Sequence, residues 1–132
     1  MAHRHRVLVV EDDPDSAEAL EAVFDAHGID TVVAADGGEA LDCLQRDADE
    51  LCVVLLDLMM PRMDGWEFRL HQTRDPHLVR IPVIAVSGGG ALAEKVSTLH
   101  ASAYLMKPLD PAAVITAVDR LCADSHGAPA TA

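Results

Sequence analysis

Short apolar runs alternate along the chain with longer segments in which apolar residues recur at helical spacing. Five of these runs are continuous enough to predict buried strands. The third run, LCVVLL, has no polar alternation, which is typical of a central strand covered on both faces of its sheet. The predicted strands are Arg6–Val10, Asp30–Ala34, Leu51–Leu56, Pro82–Val86 and Ala101–Met106.

Five helices are predicted between and after these strands. The first begins at Asp13-Pro14, because proline tolerates the first helical position and aspartate accepts hydrogen bonds from free backbone N–H groups there. The third begins near Gly65 and has a poor apolar stripe, since Arg69 and Thr73 stand where leucine is expected. The other three are predicted from Asp36, over Ala91–Leu99, and around Val114, Ile115, Val118 and Leu121.

The alternation of strands with helices predicts an α/β fold, a doubly wound five-stranded parallel sheet flanked by helices on both faces. A chain of 132 residues, half of them hydrophobic, has the size of one domain with one core. We therefore expect a single domain over residues 1–122. Residues 123–132 are rich in Ala, Ser, Gly and Pro and predict a flexible C-terminal tail.

Composition excludes some classes of partner. With 22 acidic and 10 basic side chains the formal net charge is −12, which repels a nucleic-acid backbone, so direct DNA or RNA binding is not expected. The three cysteines have no metal-ligand spacing, and their odd number argues against a disulfide framework, which favours a reducing, cytoplasmic location. The apolar runs are too short for a signal sequence or a membrane span, so no membrane insertion is expected.

The polar residues that interrupt the apolar pattern fall just after predicted strands. Glu11 and Asp12 follow the first strand, Asp57 the third, Ser87 the fourth and Lys107 the fifth. In an open α/β sheet, ligands bind beyond the carboxyl ends of the strands, at the point where the strand order reverses. With the order 2-1-3-4-5 that point lies between the first and third strands, so Asp12 and Asp57 are expected on its two sides.

Carboxylates gathered at one edge of a sheet favour a cation. Two of them about 4 Å apart repel by roughly 4 kcal/mol at an effective dielectric near 20. Mg²⁺ binds oxygen ligands, keeps several waters and typically uses one or two carboxylates together with a substrate phosphate. We expect a Mg²⁺ site, with Mn²⁺ as a permissible substitute, in which Asp12 and Asp57 are ligands and Glu11 acts through a water. Lys107 and the Ser87 hydroxyl can stabilise oxygens of a transferring phosphoryl group, with Asp57 as the nucleophile.

Four segments of the chain, VLVVEDDPDS, VVLLDLMMPRMDGWEF, IPVIAVSG and AYLMKP, carry these polar residues in order. Together they resemble the signature segments of the response-regulator receiver domains of two-component signalling. The resemblance extends from about Arg6 to Leu121, and each segment delivers its polar residue at a strand end. It implies a flavodoxin-like, CheY-like fold with the strand order 2-1-3-4-5.

The resemblance also implies roles at the acidic edge. Asp57 is the expected phospho-acceptor, and Asp12 and Glu11 form the acidic pair. The backbone carbonyl of Met59 is implied as a third metal ligand, beside Asp12 and Asp57. Lys107 stands at the position of the family's characteristic lysine.

Two positions are implied to switch the domain: Ser87 as the switch hydroxyl and Tyr104 as the aromatic switch residue. The bond from Lys107 to Pro108 is expected to be cis, as is common in the family. His100 departs from the family pattern, because it stands where glycine is usual before the fifth strand. We expect it to strain that turn.

The implied function is that of a stand-alone, single-domain response regulator. It would accept a phosphoryl group on Asp57, in a Mg²⁺-dependent reaction, from a sensor histidine kinase or a histidine phosphotransfer protein. It would not be an enzyme beyond its own phosphorylation and dephosphorylation. No output domain follows Leu121, so the signal is expected to reach a downstream protein target through the face made by the fourth helix, the fifth strand and the fifth helix. The resemblance also allows a phosphorylation-dependent dimer.

Three other functions compete with this one. A pseudo-receiver would dock on a partner without being phosphorylated, which the full set of chemical residues disfavours. A phosphatase with an aspartate nucleophile typically has a second aspartate two residues later, where this chain has Met59. A flavin carrier of the flavodoxin type needs a phosphate-cradling loop after the first strand, where the segment EDDPDS would repel a phosphate.

Overall fold

The computed structural model of the chain describes residues 5–58, 65–88 and 99–126. These ranges contain five strands and four helices. The strands are β1 (Arg6–Val10), β2 (Asp30–Ala34), β3 (Val53–Asp57), β4 (Val83–Ser87) and β5 (Ala103–Met106). The helices are α1 (Pro14–Ala26), α2 (Gly37–Asp47), α3 (Gly65–Thr73) and α4 (Pro111–His126). The predicted helix over Ala91–Leu99 falls, apart from Leu99, outside the described residues, so α4 is the helix predicted last along the chain.

The strands form one parallel sheet in the order β2-β1-β3-β4-β5, which confirms the predicted topology. The chain leaves β1 toward β2 on one side and then crosses to β3 on the other side. The strand order therefore reverses between β1 and β3, where Val10 pairs with Leu56. A crevice opens at the carboxyl ends of these two strands.

Alternating side chains of the central strands pack into two separate cores, one on each face of the sheet. On one face, Leu8 and Leu56 pack with Leu44 of α2 and Phe68 of α3. On the other face the partners come from α1 and α4. This second core includes Val7, Val9, Phe24, Leu55 and Val118. Burial on both faces holds β1 and β3 rigidly, so the residues at their ends have fixed positions.

Local signals in the sequence account for the ends of the helices. Asp13 caps α1 as predicted, since its carboxylate accepts from the backbone N–H of Ser16 at 3.2 Å. The chain leaves α1 through Gly28, whose φ of 72° favours glycine. Helix α4 continues past Cys122, the predicted limit of the domain, to His126.

None of the helices in the described part of the chain combines the length and the apolar character needed to cross a membrane.

Candidate functional site

Two acidic side chains are buried at the carboxyl ends of β1 and β3. Glu11 directly follows β1 and has 6% of its surface exposed, while Asp57 is the last residue of β3 and has 5% exposed. The neighbouring Asp12 is exposed to solvent. Glu11, Asp12 and Asp57 each offer a carboxylate oxygen, and these oxygens all lie within 4.8 Å of one another. The structure thus brings together the three acidic residues that the sequence predicted on this edge.

Lys107 provides the positive charge of the site. Its Nζ lies 3.3 Å from Oδ2 of Asp57 and 3.4 Å from Oε1 of Glu11. Its backbone N–H donates to the carbonyl of Ser87 at 2.8 Å, which ties the end of β5 to the end of β4. The peptide bond between Lys107 and Pro108 is cis, as the resemblance implied.

Burial and mutual repulsion shape the protonation of the buried groups. Burial raises the pKa of Glu11, and the hydrogen bond and negative charge of Asp57 raise it further. These effects outweigh the hydrogen bond that Glu11 accepts from the Asp13 N–H, at 3.2 Å, and the charge of Lys107. For Lys107, burial acts to lower the pKa, but the charges of Asp57 and Glu11 outweigh it and raise the pKa above its ordinary value. Lys107 is therefore a charged ammonium at neutral pH.

The donor set fits a hard divalent cation. Among the described residues, three carboxylates face one ammonium group, so this part of the edge carries surplus negative charge. Two of the three carboxylates are almost fully buried, where that surplus is weakly screened. All the donors are oxygens, and the exposed position of Asp12 leaves room for water ligands. This combination matches the preferences of Mg²⁺. Met59, whose carbonyl was expected to join the set, lies outside the described residues.

Ser87 and Tyr104 are the two predicted switch residues. Ser87 lies further along the same edge of the sheet, at the end of β4, and Tyr104 lies on β5. Asp57 pairs with Val86 between β3 and β4, so Ser87 stands one residue beyond it toward the carboxyl end. Tyr104 pairs with Ala85 on β4, and 45% of its surface is exposed. Its hydroxyl oxygen accepts a hydrogen bond from the backbone N–H of Ala101 at 3.0 Å. In this structure the tyrosine hydroxyl is therefore held by the turn that precedes β5.

An apolar groove of about 310 Å³ opens directly beside the charged groups. Glu11 and Lys107 are among its lining residues. The rest of the lining comes from α1, from the β5–α4 connection and from α4, and includes Leu20, Val23, Leu109 and Val114. This groove was not predicted, because its residues are far apart in sequence and meet only in the folded chain.

Sequence reasoning also missed the role of Gly65. A Cβ atom on this glycine would lie 2.8 Å from the Cα of Leu58 and 3.3 Å from the carbonyl oxygen of Asp57. The Gly65 N–H donates to the carbonyl of Leu58 at 3.2 Å. The start of α3 is thus pressed against the backbone of the phospho-acceptor candidate, and only glycine fits there. A glycine at the predicted start of the third helix, shortly after Asp57, was the available signal.

Known proteins share this architecture. The response regulator receiver domain family matches residues 7–119 of the chain. The DNA-binding response regulator MtrA of Mycolicibacterium smegmatis is 35% identical over 117 residues, which are 87% of this chain and 49% of MtrA. Protein PilH of Pseudomonas aeruginosa is 29% identical over 120 residues, which are 89% of this chain and 98% of PilH. The chain thus spans about half the length of MtrA and nearly all of PilH.

Among solved structures, the Francisella response regulator 1452 receiver domain is similar to this one with a TM-score of 0.82. Its sequence is 30% identical, and the match covers 92% of this chain and 99% of that domain. The fold, the placement of acidic residues and lysine at the strand ends, and the family match over residues 7–119 agree with one another. The chain belongs to the response regulator receiver domain family.

Proposed function

We propose that the protein accepts a phosphoryl group on Asp57 and thereby switches its affinity for a protein partner. One observation carries this proposal: a nearly buried carboxylate, Asp57, lies within 4.8 Å of two further acidic side chains and 3.3 Å from the ammonium of Lys107. Such a cluster is costly unless it binds a cation, which offsets the surplus negative charge. The bound cation and the ammonium of Lys107 can then hold the oxygens of a transferring phosphoryl group beside Asp57.

The chemistry follows from the arrangement of charges. A carboxylate oxygen of Asp57 attacks the phosphorus of a phosphorylated histidine on the donor protein. The bond between phosphorus and the imidazole nitrogen breaks, its electron pair stays on that nitrogen, and an acyl phosphate forms on Asp57. Lys107 then pairs with a phosphoryl oxygen instead of the carboxylate, and the Ser87 hydroxyl donates to another. Mg²⁺, held by Asp12 and Asp57 with Glu11 acting through water, would neutralise part of the phosphoryl charge.

The groove beside Lys107 suggests how the donor binds. The phosphohistidine of a sensor histidine kinase or a histidine phosphotransfer protein has to approach Asp57 from the open edge of the sheet. A helix that carries this histidine would find an apolar surface on Leu20 and Val23 of α1 and on Leu109, directly next to the charged groups. Apolar contact would then supply affinity, while the charged edge orients the phosphoryl group.

The output of the switch is proposed to pass through Ser87 and Tyr104 to the surface formed by β5 and α4. Tyr104 is half-exposed and pairs across the sheet two residues before Ser87, so movement at Ser87 is close to its backbone. The partner on this side is a downstream protein or a second copy of the chain. A shift of population between two arrangements, rather than complete inversion, is enough to change its affinity.

Intact-mass measurement after incubation with Mg²⁺ and acetyl phosphate tests the proposal. We expect a single labile phosphoryl adduct, which is absent with a chelator and absent in Asp57→Ala. Asp42→Ala is the matched control, because Asp42 is an exposed aspartate on α2. An adduct that persists in Asp57→Ala would contradict the assignment. No adduct in the wild-type protein, together with unchanged spectra in beryllofluoride, would favour a pseudo-receiver that docks without phosphorylation.

A further inference from the structure

Arg69 of α3 occupies a position where the helix stripe calls for an apolar residue, and the structure shows what it does there. We infer that Arg69 is a positioning residue for the switch: it clamps the turn before β5 and so holds Tyr104 in its exposed, resting position. The inference rests on the proposed function, because it names an element that sets the balance of that switch.

The clamp is made by the whole guanidinium group. Its Nε donates to the carbonyl oxygen of Leu99 at 2.8 Å, and its Nη2 donates to the carbonyl oxygen of His100 at 2.9 Å. Its Nη1 donates to the side-chain oxygen of Gln72, one turn further along α3, at 2.9 Å. All three nitrogens are therefore engaged. The planar fork of arginine is suited to two successive carbonyls in this way, whereas lysine offers a single ammonium.

Gln72 fixes the guanidinium from behind. It is completely buried, and its Nε2 donates to the carbonyls of Leu78 and Ile81, at 3.0 Å in each case. These two carbonyls belong to the connection between α3 and β4. Because a buried amide with satisfied hydrogen bonds has few alternative positions, Gln72 holds Arg69 at a defined distance from the turn.

The turn transmits this restraint to Tyr104. Arg69 holds the carbonyls of Leu99 and His100, and the very next N–H group, that of Ala101, donates to the Tyr104 hydroxyl. His100 lies between the Arg69 contact and the Tyr104 contact and has a φ of 52°. This backbone conformation is unfavourable for residues other than glycine. The turn is therefore under strain, and the Arg69 hydrogen bonds help to keep it in this shape. Loss of these bonds lets Ala101 move and weakens the bond to Tyr104.

Arg69 makes these bonds although its side chain is partly buried. Partial burial lowers the pKa of Arg69. The nearby oxygen of Tyr104 acts in the opposite direction, but its effect is smaller. A cation is thus removed from water in order to bind backbone carbonyls rather than a carboxylate. If its clamp stabilises the resting arrangement, its removal favours the alternative arrangement that phosphorylation selects, because coupling between sites is reciprocal.

Tyr104 is the only tyrosine in the chain, so labelling with 3-fluorotyrosine gives one ¹⁹F NMR signal from the switch position. Spectra of wild type, Arg69→Met and Arg80→Met are compared first without phosphodonor, and then during titration with beryllofluoride and Mg²⁺. Arg69→Met keeps an apolar stem and removes every donor. Arg80→Met is the matched control, because Arg80 is an exposed arginine that pairs with Asp49 at 2.8 Å.

We expect Arg69→Met to displace the Tyr104 signal without any phosphodonor, and to lower the beryllofluoride concentration for half-saturation about fivefold or more. Arg80→Met should match wild type in both readouts. A folded Arg69→Met protein with the wild-type signal would overturn the inference. If Arg69→Met does not fold, Arg69→Lys decides: a displacement supports the clamp, and the wild-type signal overturns it.

Failure of the clamp is distinguishable from failure of the proposed function. A wild-type protein that takes no phosphoryl group on Asp57 overturns the proposed function alone. The displacement of the Tyr104 signal in Arg69→Met is measured before any phosphodonor is added, so it tests the contact with the turn independently of phosphoryl transfer. A displaced signal with the wild-type beryllofluoride half-saturation would overturn the role of Arg69 in the switch, because the loss of a nearby charge also shifts the signal.

Discussion

At the scale of single residues, Lys107 has two partners at rest and a third in the reaction. Its Nζ lies between the buried carboxylates of Asp57 and Glu11, at 3.3 and 3.4 Å. In phosphoryl transfer the same ammonium can stabilise negative charge on a phosphoryl oxygen. We expect Lys107→Ala to slow phosphorylation by acetyl phosphate about 100-fold, the usual effect of removing one preorganised electrostatic contact. The initial rate of adduct formation, followed by intact mass at fixed Mg²⁺, measures this.

The exposed ion pair of Arg80 with Asp49 offers a control for that experiment. Such surface pairs contribute little, so Arg80→Ala should be phosphorylated at the wild-type rate. An unchanged rate in Lys107→Ala would mean that Lys107 serves only to balance the two resting carboxylates.

The backbone strain at His100 can be tested separately, by measuring how its substitution changes the stability of the protein. The sequence placed it where the family has glycine, and the structure gives it a φ of 52°. A residue with a Cβ is destabilised by about 1–2 kcal/mol in this conformation, and glycine at position 100 would relieve that strain. Part of this gain in stability is lost, because glycine also has more conformational freedom in the unfolded chain. We expect His100→Gly to raise the free energy of unfolding by about 0.5–1 kcal/mol, measured by urea titration.

Gly28 provides the opposite substitution for comparison. It has a φ of 72°, and a Cβ there would meet no atom within 4 Å in the part of the chain that the structure describes. Gly28→Ala should therefore lower the free energy of unfolding by about 1 kcal/mol through backbone conformation alone. Equal stability of wild type and His100→Gly would show that the turn carries no strain.

At the scale of the elements, the start of α3 lies in close contact with the end of β3. The Cβ of an alanine at position 65 would lie 2.7 Å from Cδ2 and 2.8 Å from Cα of Leu58. Since backbone atoms cannot move aside cheaply, Gly65→Ala has to shift the end of β3 and with it Asp57. We expect a loss of about 1–3 kcal/mol in the free energy of unfolding and slower phosphorylation.

Gly88→Ala is the matched control for this substitution, because a Cβ at Gly88 would meet no atom of the described residues within 4 Å. Urea unfolding and the rate of adduct formation are measured on both variants. A Gly65→Ala protein as stable as Gly88→Ala would show that the junction can relax without moving the strand.

Elements whose signals are local were predicted well from sequence. The strand runs, the Asp13 cap and the glycine that ends α1 all depend on neighbours in the chain, and the structure confirms them. The strand order followed from general rules of α/β folds. The polar residues of the site were found because each one interrupts an apolar pattern at the end of a strand.

The parts that were missed depend on contacts between distant segments. In the sequence, Arg69 only interrupted the apolar stripe of α3. Its partners Leu99 and His100 are 30 and 31 residues away, so the pattern could not indicate the contact. The contact of Gly65 with Leu58 is a matter of tenths of an ångström, which no residue pattern encodes. The groove beside Lys107 is likewise assembled from two segments that are far apart in the chain.

At the scale of the whole molecule, the acidic residues that serve the proposed function should lower the stability of the cation-free fold. Asp57 and Glu11 are both buried and lie close together, so the cation-free protein holds like charges in a poorly screened place. We expect Asp57→Asn to raise the free energy of unfolding without Mg²⁺ by about 1 kcal/mol, because repulsion is relieved while Lys107 keeps Glu11 as its partner. With Mg²⁺ at about 100 times its dissociation constant, wild type should gain about 2.7 kcal/mol.

The same Mg²⁺ concentration should stabilise Asp57→Asn much less, because one carboxylate ligand has been lost. Urea unfolding of both proteins, with Mg²⁺ and with a chelator, gives the four free energies that are needed. Asp42→Asn, an exposed substitution on α2, should follow wild type under both conditions. An equal gain from Mg²⁺ in wild type and Asp57→Asn would place the cation elsewhere on this acidic surface. Higher stability of Asp57→Asn without Mg²⁺, together with a larger gain from Mg²⁺ in wild type, would mean that the cluster is unfavourable for folding but binds the cation that the proposed phosphorylation needs.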